Sequence, residues 1–334
     1  MQKALITGVT GMVGSHMCDF LLEKTNWNIY GICRWRSNPD NVSHLINDKL
    51  KRLNFIYADL NDFSSLFKVL QDIKPDYIFH LAAQSFPKTS FDIPLDTLNT
   101  NILGTANLLE CIKILKLKKT WVQICSSSEI FGRVSRENLP INEDCNFHPA
   151  SPYAISKVGT DLLGRFYAEA YKINTITTRM FTHTGPRRGD VFAESTFAKQ
   201  IAMIEAKYIE PIIKVGNLNS LRTYGDVRDA VRAYYMSLTT KPKRGEYYNI
   251  GGNHTCTVGD MLKELLSISN LKNYKIEIDK ERLRPIDADL QVPNISKFQK
   301  HTKWKPEISF QKTMSDLLNY WRNKIKQKSF LGLR

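Results

Sequence analysis

Residues 3–22 read KALITGVTGMVGSHMCDFLL. Lys3-Ala-Leu-Ile-Thr7 is a short apolar run with the length and composition of a buried parallel strand. It passes directly into Gly8-Val-Thr-Gly11-Met-Val-Gly14, and Ser15 to Leu22 then reads as a helix with an apolar face. Gly8 permits the tight turn, Gly11 lets a pyrophosphate approach the backbone, and Gly14 allows close helix–strand packing. The helix N-terminus faces the anion. The spacing is Gly-x-x-Gly-x-x-Gly rather than the Gly-x-Gly-x-x-Gly of the general rule, so the strand–turn–helix context carries the reading. It points to a dinucleotide site on a Rossmann-type sheet.

The alternation continues outward. Leu53 to Tyr57 reads as a strand, followed by Ala58-Asp59-Leu60, and Phe63 to Ile73 has a helical period. Asp76 to Leu81 reads as a strand running into Ala82-Ala83-Gln84, Thr97 to Leu115 as one long helix, and Thr120 to Cys125 as a strand. Repeated strand–helix units imply an α/β fold, a doubly wound parallel sheet with helices on both faces. Ligands of such sheets sit beyond the carboxyl ends of the strands, where Gly8, Asp59, Ala82 and Ser126 fall. After about residue 180 the alternation weakens. Helices from Ser195 to Lys207 and Thr257 to Ser267 are expected there, with short strands over Ile212 to Val215, Tyr247 to Ile250 and Lys275 to Ile278. The expected organisation is a dinucleotide-binding domain over 1–180, with later segments near 216–255 interleaved, and a smaller C-terminal substrate-binding lobe over 181–330.

The second strand, Trp27 to Cys33, ends at Arg34, with Arg36 and Ser37 close behind. An acid there would bind the adenosine ribose and disfavour a 2′-phosphate. Two arginines that can fork onto a phosphate instead favour NADP, with NAD as the alternative.

With 334 residues and 42% hydrophobic content, the chain can bury a large core and divide into two lobes. No apolar run approaches the roughly 18 residues of a membrane helix. The chain enters its first strand at once, so no leader is expected. Six cysteines, with no Cys-x-x-Cys and no clustering with histidine, read as reduced thiols of a cytoplasmic protein without a metal site. The formal charge of +14 raises the question of nucleic acid. The basic residues are scattered, and the denser runs Lys113–Lys119 and Arg322–Lys328 lack the interleaved aromatics of such a site. An anionic small-molecule substrate explains the charge, and neither nucleic acid nor membrane is expected as a partner.

Ser151-Pro-Tyr-Ala-Ile-Ser-Lys157 holds the chemistry. Tyr153 and Lys157, four residues apart, share one face of a helix. A lysine ammonium beside a phenol stabilises the phenolate, so the tyrosine is expected to take a proton near neutral pH. The pair suits removal of a hydroxyl proton while a hydride leaves the same carbon. Upstream, Cys125-Ser-Ser-Ser-Glu129-Ile-Phe-Gly132 ends a strand. Ser127 is placed to donate a hydrogen bond to the substrate oxygen. Hydride transfer alone needs no carboxylate, whereas elimination of water next to a ketone does, and Glu129 supplies one.

The glycine turn, His80-Leu-Ala-Ala-Gln84, Ser126 to Gly132 and Ser151 to Lys157 together resemble the extended short-chain dehydrogenase/reductase superfamily. The resemblance runs from residue 1 to about 323. Within it the chain is similar to the GDP-mannose 4,6-dehydratase and GDP-4-keto-6-deoxymannose reductase group. Phe181-Thr-His-Thr-Gly-Pro-Arg187-Arg188-Gly-Asp190 resembles the dehydratases' phosphate-approaching segment, and Val215 to Asp229 a segment whose arginine holds the diphosphate. Leu283-Arg284-Pro285 and Trp304-Lys-Pro-Glu307 are closer to the reductases. Thr182 replaces the family's usual asparagine, and Ser127 the dehydratases' threonine, retaining the hydroxyl. The resemblance implies cofactor contacts at Gly8, Gly11, Met12, Val13, Gly14, Arg34, Arg36, Asp59, Leu60, Leu81, Ala82, Ala83, Tyr153 and Lys157. It implies substrate contacts at Gln84, Ser85, Thr182, His183, Arg187, Lys199, Arg222 and Arg284. Arg187, Arg222 and Arg284 would give three guanidinium forks for a diphosphate.

The function expected is therefore an NADP-dependent GDP-sugar 4,6-dehydratase acting on GDP-mannose or GDP-manno-heptose. The alternatives are the sister 4-reductase and a nucleotide-sugar epimerase. A non-catalytic redox sensor would have no need of the serine, tyrosine and lysine. The family resemblance also implies a homodimer or homotetramer through the helices flanking the nucleotide domain.

Overall fold

The computed structural model describes residues 1–46, 52–286 and 288–327. Lys328, the last residue of the basic tail run, lies outside them. Seven strands form one sheet in the order Tyr247–Ile250, Asn174–Met180, Trp121–Ser127, Tyr77–His80, Lys3–Thr7, Asn28–Cys33, Leu53–Tyr57. Every pairing in it is parallel. The chain builds outward on one side of Lys3–Thr7 and then returns to build on the other, which puts a switch point beside the glycine turn.

The first strand shows why both faces must be covered. Successive side chains point to opposite faces, and Ala4 and Ile6 join one core while Leu5 joins another. Ala4 and Ile6 pack with Met17 and Leu21 of helix Met12–Lys24 and with Ala230 and Tyr234 of helix Val227–Thr239. Leu5 packs with Leu66 and Leu70 of helix Phe63–Ile73 and with Leu108 and Ile112 of helix Gly104–Ile114. In the second half, helices Ala193–Glu205, Val258–Ser267 and Phe310–Lys326 close a separate core around Phe197, Leu262, Leu265, Leu317 and Trp321. Beside it runs the parallel pair Ile212–Val215 and Lys275–Ile278. Strand Leu221–Asp226 lies between His254–Thr257 and Leu290–Gln291 and brings Arg222 towards the large sheet.

Two local outcomes differ from the sequence reading. The expected helix from Thr97 to Leu115 is three pieces: Pro94–Leu98, a π-helical turn Asn99–Leu103, and Gly104–Ile114. The wide turn holds the buried Asn101 against residue 84, where its side chain accepts from the Gln84 N–H (2.8 Å) and donates to the Gln84 carbonyl (2.9 Å). A π-turn of this kind commonly marks a functional position. The strand Asn174–Met180 has no apolar run because it is buried on both faces through polar side chains. Its Arg179 is neutralised by Asp161 at 2.8 and 3.0 Å.

Candidate active site

A cleft of about 990 Å³ runs along the carboxyl ends of the strands and between the two cores. One end is the glycine turn. Gly8 has φ +70°, and a Cβ on it would stand 2.8 Å from the Ala82 backbone; a Cβ on Gly14 would lie 2.2 Å from the Gly8 carbonyl oxygen. The Gly11 N–H closes the turn on the Gly8 carbonyl (3.0 Å). The turn thus brings the start of helix Met12–Lys24 to the floor of the cleft, a cradle that fits the diphosphate of a dinucleotide.

The floor is locked by a chain of hydrogen bonds through His80. Thr105 Oγ1 spends its proton on the Asn101 carbonyl (2.6 Å), so it accepts from His80 Nε2 (3.0 Å). The His80 Nδ1 then accepts from Thr7 Oγ1 (3.0 Å), whose oxygen takes the Leu81 and Ala82 N–H groups. This fixes a neutral ring and one tautomer. Burial, then the charge of Lys157, push its pKa down to about 3.

Helix Pro152–Tyr171 presents the tyrosine and lysine. Ser151 caps it by accepting the Ala154 N–H (3.0 Å), and Pro152 supplies the fixed φ of a first helical position. That start puts Tyr153 in the first turn and Lys157 one turn on, both buried and both lining the cleft. The phenol lies beside the Ser127 hydroxyl. Burial raises the Tyr153 pKa and the neighbouring Ser127 hydroxyl only partly offsets it. Lys157 lies 5.9 Å from the Tyr153 ring centre and is itself shifted down by burial.

Glu129 follows from the end of the neighbouring strand. Its N–H donates to Ser127 Oγ (3.2 Å), which caps the short turn Ser128–Phe131 and brings the carboxylate into the cleft. Arg222 Nη1 stands 3.5 Å from Glu129 Oε1, and Arg284 Nη1 3.9 Å from Oε2.

The remaining expected residues divide clearly. Met12, Val13, Arg34, Asp59, Leu60, Leu81, Ala82, Ala83, Gln84, Ser85, Thr182 and His183 all line the cleft. Arg36 and Lys199 do not: Arg36 lies over the Trp35 ring, and Lys199 is paired with Asp190 at 2.7 Å. Arg187 reaches the cleft wall, but its guanidinium holds Asp19 at 2.6 Å, on the helix of the glycine turn. Of the three expected arginines, Arg222 and Arg284 converge on Glu129, while Arg187 stands on Asp19 at the cleft wall.

Asn101, Arg188 and the Phe86–Phe192 pair come into view only in the fold, and so does the state of the expected Gln84. Asn101 sets the backbone at Gln84 and also donates to Ser156 Oγ (2.8 Å). Arg188 lies 3.4 Å over the Phe192 ring and 3.4 Å from Glu194, with the Tyr153 phenol among the groups acting on it. Gln84 Oε1 is buried without a hydrogen-bond partner among the described residues. Phe86 and Phe192 meet edge to face across the cleft wall. Arg188 is adjacent to Arg187 in a segment that the sequence singles out, and Gln84 ends the His80–Gln84 motif; Asn101, Phe86 and Phe192 carry no local signal. Among the described residues, no group of histidine, cysteine or carboxylate could hold a metal ion, and no helix is long and apolar enough to cross a membrane.

Comparison with known proteins agrees with this geometry. The chain is 31% identical to the GDP-mannose 4,6-dehydratase of Vibrio cholerae over 353 residues, covering 95% of this chain and 93% of that one. It is 31% identical to the GDP-mannose 4,6 dehydratase of Drosophila melanogaster, covering 95% and 85%. Its fold superposes on RMD from Pseudomonas aeruginosa, solved with NADPH, with a TM-score of 0.81 and 26% identity over 97% of this chain and all of that one. Residues 5–317 match the family profile of GDP-mannose 4,6 dehydratase. With that match spanning both lobes and the cleft between them, the chain belongs to the GDP-mannose 4,6-dehydratase family.

Proposed function

We propose that the protein is a GDP-sugar 4,6-dehydratase that works through bound NADP. The observation that carries this is Glu129, a carboxylate in the same cleft as the Ser127–Tyr153–Lys157 group and the dinucleotide cradle. A simple oxidoreductase needs no such base; loss of water beside a carbonyl does.

The dinucleotide, when bound, supplies a hydride acceptor that gives back what it takes, so none is consumed. Gly8 to Gly14 would hold its diphosphate, Arg34 its 2′-phosphate, and Lys157 its nicotinamide ribose. The chain's own residues manage the protons. Tyr153 takes the proton of the sugar's 4-hydroxyl, with Ser127 holding that oxygen. Glu129 removes the proton from carbon 5, made acidic by the new ketone, and protonates the hydroxyl leaving carbon 6. Gln84 Oε1 offers an unused acceptor for a sugar hydroxyl. Arg222 and Arg284 bind the diphosphate of the substrate.

Several broader readings accompany this one. The lobe after residue 181 holds the sugar nucleotide, while the strand Tyr247–Ile250 returns to the large sheet, which supports interleaving of the 216–255 segment. The copies pair through the exposed apolar residues Leu103, Ile155, Leu162 and Phe166 on the helices flanking the sheet. Six cysteines without a disulfide suit a cytoplasmic enzyme.

The test is incubation with GDP-mannose and GDP-manno-heptose without reduced cofactor, followed by mass spectrometry. Loss of one water with no net change in NADPH absorbance is expected. NADPH consumption on a 4-keto-6-deoxy GDP-sugar, with no water loss from either substrate, would assign the reductase instead.

A further inference from the structure

The parallel pair Ile212–Val215 and Lys275–Ile278 has two outer edges, and the chain treats them differently. Along Ile212–Val215 the edge is closed. The Gln200 side-chain amide donates to the Lys214 carbonyl (3.1 Å) and accepts the Lys214 N–H (2.8 Å), as a further strand would. Along Lys275–Ile278 the edge is open. The N–H groups of Lys275 and Asp279 go to the carbonyls of Pro211 and Val215 (2.8 Å each), so the odd-numbered residues face the neighbouring strand. The backbone N–H and C=O of Tyr274, Ile276 and Ile278 then point outward, and nothing pairs with them among the described residues. Ile276 and Ile278 share a face with their register partners Ile213 and Val215, which are buried in the core of the C-terminal lobe. Past the edge that face is uncovered: Tyr274, Ile276 and Ile278 are 40%, 46% and 71% exposed. Lys275 and Glu277 lie exposed on the opposite face.

We propose that this edge pairs with the same edge of a second copy of the chain, antiparallel about a two-fold axis at Ile276. That register meets three demands at once. Ile276 stands opposite Ile276 and Tyr274 opposite Ile278, so outward-pointing residues meet one another and about six backbone hydrogen bonds can form. The same pairs bring the uncovered apolar side chains together. On the other face Lys275 stands opposite Glu277 of the second copy, and Glu277 opposite its Lys275, two cross-strand pairs of opposite charge. Moving the axis by one residue, to Lys275 or to Glu277, sets lysine against lysine or glutamate against glutamate. Charge therefore selects the axis at Ile276. A lysine on an edge commonly repels a second strand; here Glu277 of the second copy neutralises it. The interface is isologous, and it is separate from the helices flanking the large sheet. The two surfaces together build an assembly larger than a dimer.

The experiment is sedimentation velocity over a series of protein concentrations, on the NADP-loaded wild type, Lys275→Glu, Glu277→Lys and the double exchange Lys275→Glu/Glu277→Lys. Each protein is also measured in a Phe166→Glu background, which opens the helix face. Wild type is expected to double in mass as concentration rises, in both backgrounds. Each single variant sets like charges opposite each other twice and should associate on the order of tenfold more weakly. The double exchange restores both pairs and should recover the wild-type step. Thermal transitions establish that each variant is folded. Should a single charge variant not fold, Ile276→Lys replaces it, setting two lysines face to face on the axis with the same loss expected. Equal association by wild type and the single variants overturns the pairing, and so does a double exchange no better than the singles. Wild type that does not double in mass in the Phe166→Glu background also overturns it, since the open edge alone should bring two copies together.

Discussion

Lys157 donates from its ammonium to the Cys125 carbonyl oxygen at 2.8 Å, while the Tyr153 phenol one helical turn away lies beside the Ser127 hydroxyl. The two side chains share a face, with the ammonium 5.9 Å from the centre of the Tyr153 ring. The lysine's charge acts on the phenol through space and through whatever its two remaining donors hold. Burial works against both groups, raising the phenol and lowering the ammonium.

Tyr153→Phe is therefore expected to lose roughly 10²- to 10⁴-fold in turnover, the range for a missing acid–base group, while NADP still binds. Lys157→Met removes the one buried cation on that helix face. Its rising alkaline limb should move to higher pH, because without a nearby positive charge the neutral phenol is favoured further. Rate–pH profiles with parallel cofactor titrations check both. An unmoved limb would show that Lys157 only positions the cofactor.

Arg34 and Arg36 separate two readings of the loop after the second strand. Arg34 lines the cleft and Arg36 does not. Arg34→Ala is expected to weaken NADP by about tenfold, one charge-assisted contact, with little change for NAD. Arg36→Ala should change neither. Fluorescence titration of both cofactors distinguishes them, and equal losses for NADP and NAD would remove Arg34 from the 2′-phosphate.

Local sequence signals carried much of this fold. Lys3–Thr7, Leu53–Tyr57, Phe63–Ile73, Ile212–Val215, Tyr247–Ile250 and Lys275–Ile278 lie where period and composition put them. Those elements announce themselves because their side chains alone determine their state. Asn174–Met180 does not, because its burial depends on Asp161 and Gly164, which the fold supplies from the preceding helix. The cleft follows the same division. Glycine turn, tyrosine–lysine spacing and serine–glutamate run are legible as motifs. That Arg187 turns to Asp19, and that Arg222 and Arg284 meet at Glu129, depends on where distant segments come together.

Asn101 is a positioning residue that no motif reveals. Its amide makes three hydrogen bonds, two to the backbone of Gln84 and one to Ser156 on the Tyr153 helix. Asn101→Ala strands these partners in a buried place and is expected to cost about 2–3 kcal/mol, one or two unsatisfied groups' worth. The loss falls on kcat as well, since Gln84 lines the cleft. Asn101→Asp restores the acceptor for the Gln84 N–H but not the donors, so it should recover only part. Denaturant unfolding beside kcat and KM checks this; equal loss in both variants would show that packing, not hydrogen bonding, sets the turn.

The acid stability of the fold follows from buried histidines. His16 is pushed down to about 4 by burial first and then by Arg187, and it faces the Pro186 carbonyl at 3.1 Å. His80 is pushed to about 3 by burial and then Lys157. Both folded values lie below that of the unfolded chain, so the unfolded state binds more protons between them and stability rises with pH in that window. Stability is therefore lost as pH falls from about 6.5, the ordinary histidine value. For His16 the loss ends near pH 4, amounting to roughly 3 kcal/mol; for His80 it continues to about 3. The carboxylates paired in the fold, Asp316 and Glu205 among them, are lowered in spite of burial by their lysine and arginine partners and add to the same acid loss at lower pH. Thermal unfolding from pH 7 to 4 should show a falling midpoint, with a shallower fall in His16→Gln, which keeps a donor for Pro186 but binds no proton. Parallel curves for wild type and His16→Gln would mean that His16 takes its proton as readily in the folded protein as in the unfolded chain.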